Sequence, residues 1–158
     1  MRTLQSCTAM LLLMVAACSS SAGNTTAAMA TVAPAPMRGI VGDTVRVIIN
    51  HVSADKRAQF EHFAHDILAP AMAKVAPSDP ATARQLRQAR LLAPTRPERD
   101  STWSYVFIVD PVVTSRSYSF PELLTKAYGA EKANEYLQLF REALARPQET
   151  YLVTNAGW

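Results

Sequence analysis

The sequence predicts an α+β domain: a four-stranded antiparallel sheet in the ferredoxin-like split βαβ order, with helices on one face. Three observations carry this. The periodicities run β-α-(α)-β-β-α-α-β over residues 44–155. Helical stripes follow the first and third strands, where crossover connections are needed. Two strand segments are apolar on both faces, so each needs cover on two sides.

Residues 44–52 (TVRVIINHV) are rich in β-branched side chains and bounded by Gly42, Asp43 and Ser53, which reads as a strand. Val45, Val47, Ile49 and His51 share one face; Arg46, Ile48, Asn50 and Val52 share the other. Apolar groups on both sides suggest a central strand. Ser53 is placed to cap a helix with Asp55 in its first turn. Phe60, Phe63, Ala64, Ile67, Leu68, Ala71 and Val75 then form one stripe at helical spacing. Pro70 should kink or end it. Asp79-Pro80 opens a short helix over 81–87. Residues 89–93 continue that helix or form a strand, and a strand is preferred because the next one needs a partner. Residues 102–109 (TWSYVFIV) are the clearest strand, with Trp103, Tyr105, Phe107 and Val109 on one face, ended by Asp110-Pro111. From Ser119 two helical stripes follow, out of phase by roughly 150° at about 100° per residue. Gly129 stands at the switch, so two helices are expected, 121–128 and 130–145. Residues 149–155 (ETYLVTN) are the last strand.

The first 17 residues have the parts of an export signal: Arg2, then an apolar run over residues 9–17 that is too short to span a bilayer. Val15-Ala16-Ala17-Cys18 follows, then three serines. This resembles the lipobox of bacterial lipoproteins. The resemblance implies cleavage before Cys18 and acylation of its sulfur, and multiple acyl chains hold a membrane firmly. The alternative is an ordinary secretory signal cut at Ala28-Met29-Ala30, which lies far from the apolar run. Ser19, in place of an aspartate, points to the outer membrane, with the protein facing the periplasm. Residues 18–43 are small, polar and proline-containing, which reads as a flexible tether to a single domain over 44–158. An extra edge strand over 32–41 is the alternative.

The remaining cysteine, Cys7, leaves with the signal. The exported domain thus has no thiol for a disulfide, a nucleophile or a cysteine-based metal site. A formal charge of +3 makes no electrostatic case for nucleic acid.

An antiparallel sheet with helices beneath and a second apolar side is usually closed by another copy packed sheet to sheet. In element order and two-sided strands, residues 44–155 resemble the dimeric α+β barrel superfamily, which includes antibiotic-biosynthesis-type monooxygenases and heme-degrading enzymes. The resemblance implies a homodimer whose inner sheet surface is lined by Arg46, Ile48, Asn50, Trp103, Tyr105 and Phe107. In the resembled monooxygenases a polar residue near the first strand and a tryptophan activate an electron-rich substrate; here those parts would fall to Asn50 and Trp103. Heme-degrading relatives need an axial histidine on the later helix, and residues 121–145 contain none, so no cofactor is expected. The competing reading makes Trp103, Tyr105 and Phe107 packing aromatics.

The remaining candidates are weaker. His62 and His65 are helical neighbours that read as a solvated face, not a metal pair. Arg84, Arg87 and Arg90 would form a basic stripe if helical, able to meet lipid phosphates or simply water. No phosphate loop or nucleophile elbow occurs. The expectation is a lipid-anchored protein whose barrel binds a small molecule through Arg46, Asn50, Trp103, Tyr105 and Phe107, or a partner, without catalysis. The alternatives are a cofactor-independent monooxygenase of the same fold and a purely structural envelope lipoprotein.

Overall fold

The computed structural model describes residues 38–112 and 117–157, all within the compact unit Ala33–Trp158. The expected leader, Cys18 and most of the tether lie outside the described residues. Among the described residues no helix is long and apolar enough to cross a membrane.

β1 (Thr44–Val52), β2 (Ala89–Leu92), β3 (Trp103–Val109) and β4 (Glu149–Thr154) form one sheet in the order β2-β3-β1-β4, every neighbouring pair antiparallel. This is the ferredoxin-like order, with β1 central as its two apolar faces require. Residues 38–41 form no strand, but hydrogen bonding starts before residue 44. Gly39 N–H donates to Asp110 Oδ1 at 2.8 Å, Gly42 N–H to the Asn155 carbonyl at 2.8 Å, and Asn155 N–H back to Asp43 at 2.9 Å. The folded domain therefore begins by Gly39, inside the stretch expected to be tether.

The first crossover holds α1 (Arg57–His62), a π-helical segment (Phe63–Leu68), α2 (Ala69–Val75) and α3 (Pro80–Gln88). Ser53 precedes it without the expected side-chain cap; its carbonyl instead accepts from Lys56 N–H at 2.9 Å. Pro70 does not end the run. The chain widens into a π turn before it, which relieves the ring's clash with the preceding turn and its missing N–H. Asp79 caps α3 as expected, accepting from Ala81 N–H at 3.0 Å and Thr82 N–H at 3.3 Å. Gln88 ends α3, so Arg90 leaves the helix for β2 and the arginine stripe is broken. The second crossover is α4 (Phe120–Tyr128) and α5 (Ala130–Ala143). Gly129 separates them with φ 85° and ψ 163°, a conformation that essentially only glycine adopts.

The register pairs Val52 with Trp103, Asn50 with Tyr105, Ile48 with Phe107 and Arg46 with Val109. All eight share one face, and the helices of the same copy pack on it. Phe60 meets Tyr105 at 4.6 Å between ring centroids and Phe63 meets Phe140 at 4.8 Å. Phe120 stands edge-on between Phe107 and Phe140. Such ring pairs add about 0.5–1.5 kcal/mol each beyond the area they bury. This corrects the expected orientation: Arg46, Ile48, Asn50, Trp103, Tyr105 and Phe107 lie under their own helices and do not face a second copy. Side-chain size decides it. The aromatic row fills the deep layer between sheet and helices, and the smaller Val45, Val47, Ile49, Val106 and Ile108 occupy the other face. That second face is apolar all the same, continuing into exposed Leu92, Tyr151 and Val153.

Candidate functional site

The helix layer does not seal against the sheet everywhere. A cleft of about 300 Å³ opens over Ile48, Leu91, Phe107 and Val109, under Ala64, Leu68, Ala69 and Met72, with Leu86 of α3 at its side. Small side chains at Ala64, Ala69 and Ala89 leave this space. Consequently Ile48 and Phe107 are only half-buried although they point into the core layer. A second lobe of about 500 Å³ lies toward α5, lined by Arg46, Leu137, Phe140, Arg141, Gln148 and Thr150. Ile48, Tyr118 and Phe120 line both lobes.

The sequence-selected residues divide accordingly. Phe107 lines the first lobe and Arg46 the second. Asn50, Trp103 and Tyr105 line neither. Asn50 is fully buried; its Nδ2 donates to the Tyr105 carbonyl at 3.4 Å, and its Oδ1 accepts from Gln148 Nε2 at 2.5 Å. The Arg57 guanidinium lies over the Trp103 ring, 3.6 Å from its centroid. The Tyr105 hydroxyl donates to Glu61 and accepts from Arg57 Nε. Burial, then the Glu61 contact, push the Tyr105 phenol above its usual value. Trp103 and Tyr105 are therefore committed to holding α1 on the sheet, and Asn50 to tying β1 to β3 and to the residue before β4. His62 pairs with Asp66 at 2.8 Å, while His65, not singled out for this, reaches the cleft rim with Gln85.

The electrostatics of the cleft are one-sided. Arg90 pairs with Asp110 at 2.8 Å. Arg46 has no ion pair or hydrogen bond among the described residues; its guanidinium lies 5.0 Å over the Tyr118 ring. The Nε of Arg46 and that of Arg90 are both buried without an acceptor, a condition that costs about 1–3 kcal/mol per donor.

The opposite sheet face carries a separate polar cluster. His51, directly across from Ser104, is 5% exposed. Its Nδ1 lies 3.0 Å from Ser104 Oγ and its Nε2 2.9 Å from Glu149 Oε1. Arg146 Nη2 approaches the same ring at 2.9 Å and Nη1 pairs with Asp100 at 2.9 Å. Hydrogen bonds from Tyr151 and His51 hold the Glu149 carboxyl below its usual value. Each partner here is satisfied by another, so the cluster ties β1, β3 and β4 to the turn before β3.

No family model matches the chain, and no curated protein matches it. Among solved structures, it is similar to a protein of Caulobacter crescentus named as a candidate antibiotic biosynthesis monooxygenase. The TM-score is 0.38 at 13% identity, over 72% of this chain and 90% of that one. The α+β fold is read from the strand order and the helix positions alone.

Proposed function

We propose that this domain is a small-molecule-binding module. It is exported, held at the cell envelope by lipid on Cys18, and takes an apolar ligand into the cleft between its helices and its own sheet. The observation that supports this is the cleft itself: a concave, largely apolar site under the helix layer with a few polar groups at its edges, the usual makeup of a ligand site. The monooxygenase reading needs Asn50 and Trp103 at the substrate, and neither lines the cleft, so binding is the reading carried forward. A second copy covering the apolar sheet face of Val47, Ile49, Val106 and Ile108 completes the proposal.

Ala69 is half-buried at the cleft wall, so Ala69→Phe puts a ring into the space without opening the core. N-phenyl-1-naphthylamine, an uncharged probe that brightens in apolar surroundings, should bind the native protein and lose at least tenfold in affinity to A69F, with thermal stability unchanged. Equal binding by both proteins would place the probe elsewhere and refute the cleft. For the anchor, Cys18→Ala should move the protein from the membrane to the soluble fraction; unchanged partitioning would refute it.

A further inference from the structure

We propose that the ligand of the cleft is an amphipathic monocarboxylate, its acid head on Arg46 in the second lobe and its apolar body in the first. This inference rests on the small-molecule reading above and narrows it to one chemical class.

Three observations carry it. First, three other arginines have carboxylate partners: Arg57 has Glu61 at 3.6 Å, Arg90 has Asp110 at 2.8 Å, and Arg146 has Asp100 at 2.9 Å. Arg46 has none among the described residues. It stands on the central strand, on the face covered by the helices, with its Nε out of water and without an acceptor. A guanidinium cannot give up its proton to escape such a site, so an unpaired one is relieved by an anion. Second, among the described residues no aspartate or glutamate lines either lobe. Arg141, the other cation of the second lobe, spends its Nε on the Leu137 carbonyl at 3.0 Å and has no carboxylate among the described residues. The described lining is thus positive, and weakly screened charges in a partly enclosed space act strongly. Third, the two hollows adjoin at Ile48, Tyr118 and Phe120, which line both. On this proposal one molecule lies across that junction, with its head toward Arg46 and its body toward Leu68, Met72 and Leu91. A carboxylate is the head that matches the planar fork of a guanidinium, accepting two parallel hydrogen bonds.

The test is calorimetric titration of the purified full chain with decanoate and with decan-1-ol, which share a body and differ in the head. The native protein should bind decanoate at least tenfold more tightly than decan-1-ol. Arg46→Met keeps an unbranched apolar stem; it should bind decanoate no better than the alcohol while its affinity for the alcohol stays unchanged. Arg46→Lys, with one charge and no fork, should fall between. Both variants should melt at or above the native temperature, since each removes the unsatisfied Nε. Equal native affinity for acid and alcohol would overturn the anion inference and leave the cleft reading standing. Undiminished decanoate binding by R46M would also overturn it. Failure of the native protein to bind either molecule would overturn both.

Discussion

Replacing Asn50 with alanine separates a structural from a ligand-facing role for the most suggestive polar residue of β1. The side chain is fully buried and makes two hydrogen bonds, one of 2.5 Å from Gln148 and one of 3.4 Å to the Tyr105 carbonyl. Net hydrogen-bond contributions of about 1 kcal/mol for the first and about half that for the longer second follow from mutational experience. Gln148 is exposed, so its freed amide returns to water and adds little. Removing the amide leaves a void of about 30 Å³, which at ~24 cal/mol per Å³ costs about 0.7 kcal/mol. The total is about 2 kcal/mol, and for a domain of about 115 residues that is a fall of about 8 °C in melting temperature. The assay is thermal unfolding followed by circular dichroism, with decanoate titration below the melting range. A melting temperature within about 2 °C of native, with decanoate binding lost, would refute the reasoning and return Asn50 to the ligand.

Three further outcomes are expected. Gly129→Ala should cost about 1–3 kcal/mol in urea unfolding, because φ 85° and ψ 163° suit only glycine; a Cβ there meets nothing within 4 Å, so an unchanged midpoint would deny the conformational argument. Asp79 has its carboxyl lowered from 3.8 to about 2, first by the Thr82 hydroxyl and then by the Thr82 and Ala81 amides. A carboxyl more acidic folded than unfolded stabilises above the unfolded value, and that contribution is lost as pH falls from about 4 toward 2. Asp79→Ala should therefore flatten the pH dependence of the urea midpoint in that window; a parallel curve would count against the cap. Val106→Lys, in the middle of the open sheet face, should give a monomer by light scattering where the native protein gives a dimer; a native monomer would remove the second copy.

Much of the fold was legible because its signals are local. The β-branched run of β1, the Asp79-Pro80 start and the phase break at Gly129 each report on their own neighbourhood. The side of the sheet that meets the helices was not legible in the same way. Both rows of β1 and β3 are apolar, so alternation alone does not choose between them, and the choice rests on which row is large enough to fill the layer beneath helices. The π segment ahead of Pro70 also escaped, since a proline predicts a disturbance and not its form. In the site, Arg46 carried a sequence signal: a charge in the row of Ile48 and Val52 on a central strand. Leu91, Met72, Leu86 and Phe120 carried none, because the cleft comes from small residues on separate elements that meet only in the fold.

Ile48 and Ile49 are adjacent in β1 and point to opposite sides of the sheet, one lining the cleft and the other the open face. Methyl-labelled NMR during decanoate titration therefore separates the two sides of the sheet. The Ile48 and Leu91 methyl signals should move while those of Ile49, Val106 and Ile108 stay. Movement confined to Ile49, Val106 and Ile108 would place the ligand on the sheet's uncovered side and contradict the cleft reading.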